Sequence, residues 1–280
     1  MNDSIHSSAD KIKYNYKFIF KNRVKREFNI ELDGVTLNLI KTGNKACPEW
    51  TKLNCFKCPN CILDERQYEF CPVAVNMIDI IDYFSNFVSY EPVEVIVTAQ
   101  ERKYIKRLTL QHGVSSLIGI YMVTSGCPIL EKLKPMVRFH LPFATIEETK
   151  YRAVSMYLLA QYFLYQQGSQ PDWDLKELAE AYENISVVNE NFCKRLRTIE
   201  GKDATLNAVV VLDIFAAGVN FSIDSRMVDD LDYLFKGYIP ETKRSGIVKN
   251  SHFVHHLLKG GCYEYSFSTA TFNERTQGII

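Results

Sequence analysis

Net charge is the first thing this sequence lacks. Lys and Arg together number 33, as do Asp and Glu, so the formal charge is zero. That balance excludes a whole-chain polyelectrolyte role such as coating nucleic acid. Long apolar runs are missing as well. The longest stretch without Asp, Glu, Lys or Arg, residues 108–130, reads LTLQHGVSSLIGIYMVTSGCPIL, and its Thr, Gln, His, Ser and Gly content is too polar for a membrane span. The opening residues MNDSIHSSADKIKYNY lack the apolar stretch of a secretory leader, so a cytoplasmic chain with reduced thiols is expected. There is no nucleotide-binding, protease or kinase signature, no internal repeat and no low-complexity tract.

What the chain does have is a cluster of cysteines. Five of its eight fall within CPEWTKLNCFKCPNCILDERQYEFC, at Cys47, Cys55, Cys58, Cys61 and Cys71. In a reducing compartment such clustering points to metal or redox chemistry rather than to a disulfide scaffold. Thiolate sulfur suits soft and borderline metals, and two cysteines with two residues between them turn back onto one ion. One solution takes Cys58-Pro59-Asn60-Cys61 as a zinc knuckle and adds Cys47 and Cys71, giving a tetrahedral Zn2+ site. The other takes Cys55, Cys58 and Cys61 with Cys71-Pro72, similar to the ligand run of a 4Fe-4S cluster but with a nine-residue gap before Cys71. A closed zinc site is scaffolding, whereas a cluster makes the protein an electron carrier or redox sensor.

The rest of the chain supplies a setting for these ligands. Residues 13–40 read as a three-stranded antiparallel meander: Tyr14, Tyr16, Phe18 and Phe20 alternate onto one face, then Phe28, Ile30 and Leu32, then Val35, Leu37 and Leu39. A helix over 73–88 and a strand over 93–98 follow. Helices are expected over 108–125, with another opening at Pro128, and from the capping box Thr145-Ile146-Glu147-Glu148 to Gly168. The stretch AVSMYLLAQYFLY, apolar on nearly every face, predicts a helix at the centre of a bundle. An amphipathic helix follows Asp172, another begins near Asp203, and a short one covers 227–235. The fold class expected is therefore α+β. A sheet-plus-helix module with the cysteine site (12–100) precedes a mainly α-helical bundle (101–238) and a polar tail (239–280).

Weaker constellations lie outside the cluster. Cys127 falls at a predicted helix N-terminus, where a thiol pKa is lowered, and His140 follows in PMVRFHLPF, so a cysteine–histidine nucleophile pair is conceivable. The same loop suits a ligand pocket, with Arg138, His140 and Arg152 as polar groups among apolar walls. His252, His256 and Cys262 read as a solvated helix face. Between Lys11 and Arg26 seven basic residues meet no acid, but strand alternation sends these and the aromatics to opposite faces, as an ordinary sheet requires. Nucleic acid is not the expected partner.

The stretches CPEWTKLNCFKCPNC, CPVAVN, SGCP, RFHLPF and SMYLLAQYF resemble an uncharacterised bacterial family with a strand meander, a cysteine-rich segment and a helical remainder, over about residues 12–215. The resemblance implies a bacterial cytosolic setting and favours Cys47, Cys58, Cys61 and Cys71 as the metal set, with Cys55 outside it. The reading is a non-enzymatic cytoplasmic protein with a structural zinc site and a helical region that takes a protein partner or small ligand. An iron–sulfur redox or sensor protein is the alternative, and an enzyme using Cys127 or His140 the third.

Overall fold

The computed structural model describes residues 11–41, 43, 46–199, 203–224, 231 and 233–238. The chain divides into units at Leu234/Phe235; of the second, the described part is Phe235–Tyr238, a short turn. The first unit holds an antiparallel four-stranded sheet in the order β2-β1-β3-β4: β1 (Ile12–Phe20), β2 (Lys25–Leu32), β3 (Pro92–Thr98) and β4 (Lys103–Thr109). Its helices are α1 (Pro72–Phe84), α2 (Leu110–Val123), α3 (Lys134–Arg138), α4 (Ile146–Gln166), α5 (Lys176–Leu196) and α6 (Asp203–Asp224). The architecture is α+β, as the sequence predicts.

The alternation in β1 produces the face it promised. Tyr14, Tyr16, Phe18 and Phe20 are buried beside Phe28, Ile30 and Leu32 of β2 and Val93, Val95 and Val97 of β3. Lys11, Lys13 and Lys17 go to the other face, where cross-strand acids meet them, Lys17 pairing with Glu27 at 2.7 Å and Lys11 with Glu31 at 2.8 Å, whereas Arg26 falls on the apolar side of β2, against Phe28. Arg26 lies 4.6 Å over the Tyr83 ring. These pairings leave the basic stretch dispersed rather than gathered into a cationic groove.

Two helices cover the apolar face. Phe84 of α1 packs edge-on to Phe18, centroids 5.2 Å apart, and stacks on Phe28. Beside it α2 lies flat on the sheet because Gly113 has no side chain at the closest approach. A methyl there would stand 2.9 Å from Val95 Cγ2, 3.1 Å from the Phe18 ring and 3.2 Å from Leu108 Cδ1. Crowding of this kind costs about 1–3 kcal/mol, against a helix-propensity gain of about 1 kcal/mol for replacing glycine. Gly113→Ala is therefore expected to lower the urea midpoint, and an unchanged or higher midpoint would show that α2 can lift off the sheet without cost.

Three sequence expectations fail locally. The third strand over 35–39 does not form: Asp33 Oδ1 accepts from the Val35 and Thr36 amides, at 3.1 and 2.7 Å, closing a turn. Leu37 then adopts a left-handed backbone with φ 58°, and a single bridge joins Leu39 to Leu32. The fourth strand is instead β4, in a stretch expected to lead into helix. The third failure is α4. Its capping box is present, but its apolar half is not central: Leu159 is 56%, Phe163 55% and Tyr165 59% exposed, and only Ala153, Val154 and Gln161 are buried.

The amphipathic helix does form as α5, burying Leu178, Tyr182, Ile185, Val188, Phe192 and Leu196. α6 packs between α5 and α2, although Ile214, expected on its inner face, is about half exposed. The short helix over 227–235 falls largely outside the described residues, as do His252, His256 and Cys262. No helix among the described residues is long and apolar enough to cross a membrane.

Candidate metal centre and neighbouring cavity

The cysteine-rich segment folds by short-range backbone bonds. Leu53 N–H donates to the Glu69 carbonyl and Cys71 N–H to Thr51, both at 2.8 Å, clipping the two ends of the segment together. Within it the Cys61 amide donates to the Cys58 carbonyl at 2.9 Å, the tight turn expected of a knuckle. Cys71 is the N-cap of α1, with Pro72 at the first helical position. A fourth cysteine arrives from far along the chain. Cys127 follows α2 and receives the Ile129 and Leu130 amides at its sulfur.

Cys58, Cys61, Cys71 and Cys127 line one small cavity of about 30 Å³, walled by Leu53, Leu63, Val73, Ile129 and Phe192 together with Arg195. All four are free thiols. Neither Cys47 nor Cys55 lines it. Among the described residues no three or more Cys, His, Asp or Glu are already gathered to metal-holding geometry. Burial pushes the Cys58 thiol up to about 12, reinforced by the neighbouring Cys71, Cys127 and Cys61 and opposed by Arg195. Cys127 is likewise raised by burial, against the pull of its two amides. The lowered pKa expected at a helix N-terminus is thus reversed, because no α-helix begins there and the surroundings are apolar.

Arg195 is the charged group of this region. Only 2% exposed, it reaches from α5 and donates from Nη1 to the carbonyls of Trp50 and Lys52, each at 2.6 Å. Among the described residues it has no carboxylate partner. A buried guanidinium without a counter-charge is costly, and it lines the same cavity as four sulfurs able to become anionic.

A second, larger cavity of about 430 Å³ lies alongside, between α2, the 139–145 loop and α4 to α6. His140 and Arg152 line it; Arg138 does not, and is exposed with Nη1 donating to the Gly34 carbonyl at 3.3 Å. Since Cys127 opens on the smaller cavity and His140 on the larger, the two do not share one site. The His140 Nε2 stands 2.5 Å from the Tyr16 hydroxyl, which also meets Ser116 Oγ at 2.8 Å. Desolvation of the ring, with the Arg152 charge adding to it, pushes the His140 pKa down to about 3.

That shift carries a pH dependence. The unfolded chain takes up a proton near the ordinary histidine pKa of about 6.5, while the folded chain refuses it until about 3. Stability is therefore lost as pH falls through this interval. Urea unfolding between pH 6.5 and 5 is expected to show a slope approaching one proton that disappears in His140→Gln; an equal slope in both proteins would assign it elsewhere.

The model of a family described as a domain of unknown function, DUF6901, matches residues 12–236. The chain belongs to this family. The match spans the sheet, the cysteine-rich segment and the helices up to α6, so both cavities lie inside the family domain. No curated protein and no solved structure matches the chain. Sequence reasoning missed Cys127 as a companion of the cluster. The one available signal was the Cys-Pro pair that it shares with Cys58 and Cys71, and Cys47-Pro48 carries the same pair without reaching the cavity.

Proposed function

We propose that the chain is a non-enzymatic metal-binding protein, in a bacterial cytosolic setting where thiols stay reduced. Cys58, Cys61, Cys71 and Cys127 hold one structural Zn2+, and the cavity beside the site is the region that takes a ligand. The observation that carries the reading is the convergence of four thiols from three separate parts of the fold on a space of about 30 Å³ beside the buried, unpaired Arg195. This set replaces the one built on Cys47.

The chemistry of the four cysteines suits a metal, and an ion would have to gather them into the geometry they do not yet hold. Four thiolates are a closed tetrahedral donor set, the amides at Cys127 favour the thiolate, and Arg195 offsets the negative charge that a four-thiolate zinc site carries. The small space of about 30 Å³ favours a single ion over an eight-atom cubane. Binding requires all four thiols to lose protons and to draw inward. Bound zinc would supply no open coordination position for a substrate; its contribution would be to folding free energy. The chain's own residues do the rest: α1, the turn after α2 and the 46–71 segment are pinned together where α5 crosses them.

The test is elemental analysis and a visible spectrum on protein purified without oxygen. About one zinc per chain and no colour supports the reading. Iron with acid-labile sulfide would replace it by the redox alternative at the same four cysteines, and absence of any metal would sink it.

A further inference from the structure

The second cavity has a one-sided electrostatic character. Its walls are apolar, with Leu108, Ile120, Leu133, Phe143 and Phe215 among them, and the charged residues that line it are Lys106 and Arg152, with no carboxylate. Arg152 uses Nη2 to donate to the carbonyls of Met136 at 2.7 Å and Phe139 at 3.0 Å, and among the described residues it forms no ion pair. Glu148, the nearest acid along α4, is taken up by the capping box, where it accepts from the Thr145 amide at 2.7 Å. Among the described residues the Tyr182 hydroxyl, buried at the same end, finds only the Met136 sulfur, at 3.9 Å. A guanidinium with donors to spare and a phenol without an oxygen partner therefore converge at one end of an apolar space.

From this arrangement we infer that the larger cavity binds a small amphipathic monocarboxylate, its apolar body along α2 and α6 and its carboxylate on Arg152 and Tyr182. The inference rests on the proposed reading of this cavity as the ligand region, and not on the metal. Size agrees: about 430 Å³ lies within the usual range for small-molecule sites, roughly 300–1,000 Å³. Charge agrees too, because a carboxylate supplies the anion that this cavity's cations lack. With Nη2 taken by the two carbonyls, Nη1 and Nε are the donors left to make a charge-assisted N–H···O bond to it.

The experiment is calorimetric titration of the full chain with decanoate and, separately, with 1-decanol, an equally long neutral chain. Decanoate is expected to bind at least tenfold more tightly. Arg152→Gln should remove that advantage, a loss of roughly 10- to 100-fold for a hydrogen-bonded charge, while leaving 1-decanol unchanged. Since Arg152 also braces two carbonyls, Arg152→Lys is run beside it and should recover part of the preference. Gly119→Leu provides a steric block, with its urea midpoint measured to show that the fold is kept. A side chain there enters the cavity, its first carbon 3.7 Å from Leu212 Cδ2, and should abolish binding of both probes.

Equal affinity for the two probes, or a preference that survives Arg152→Gln, would overturn the carboxylate assignment. Binding of neither probe would overturn the cavity as a ligand site. Zinc is measured on the same samples: zinc-free protein that still prefers decanoate sinks the metal reading alone, and zinc-loaded protein that binds neither probe sinks this inference alone.

Discussion

Cys127→Ser is expected to yield protein without zinc and without a cooperative unfolding transition, and Cys58→Ser to do the same, whereas Cys47→Ser and Cys55→Ser keep both. The contrast follows from placement. Cys58 and Cys127 line one cavity with Cys61 and Cys71, and the other two cysteines lie outside it. Structural zinc in small sites contributes on the order of 10 kcal/mol, comparable with the whole stability of a typical domain, about 5–15 kcal/mol. Losing one of four ligands leaves three thiols and an open coordination position in an apolar pocket. Zinc per chain by elemental analysis, with urea unfolding of each variant, decides the matter. The reading fails if Cys127→Ser retains a full equivalent of zinc, and the Cys47-based set returns if Cys47→Ser loses it.

Arg195→Met should cost about 3–5 kcal/mol, the second largest effect expected of a single substitution here. Two charge-assisted hydrogen bonds, each typically worth about 1.5–3 kcal/mol, disappear, and the Trp50 and Lys52 carbonyls lose their donor in a buried setting. Methionine fills much of the same volume, so the loss is polar rather than steric. With zinc bound the variant should also release metal to a chelator faster, because the cation beside the thiolates is gone. Arg195→Lys separates the two contributions. It keeps the charge but not the reach and planar geometry with which Nη1 meets both carbonyls, so metal retention should recover more than the urea midpoint. A midpoint unchanged in Arg195→Met would show that the 46–71 segment is held without this clamp.

The parts of the fold that were legible in the sequence are those with one clean periodicity. β1 and β2 alternate strictly, and α5 keeps its apolar residues at steps of three and four. The rest was hidden for identifiable reasons. β4, KYIKRLT, is an edge strand with both faces largely open, and Ile105 is 60% exposed, so it shows no apolar alternation to read. Residues 35–39 do alternate, but Asp33 closes a turn on the following amides before a strand can pair. α4 is apolar all round yet lies at the surface, because hydrophobicity specifies what can be buried and not what covers it. The knuckle and Cys71 were readable from local spacing. Cys127 was not, because α1, β3, β4 and α2 intervene and only the packing of α2 on the sheet returns the chain to the cluster.

The outer half of α4 also governs how this protein behaves in concentrated salt. From Ala153 to Gln166 the helix carries no ionisable side chain except its tyrosines, and Leu159, Phe163 and Tyr165 stand in water. Ions such as sulfate, excluded from apolar surface, raise the free energy of this face more than that of the ion-paired sheet surface. Retention on a phenyl matrix and early precipitation by ammonium sulfate are the macroscopic behaviour expected of those few side chains.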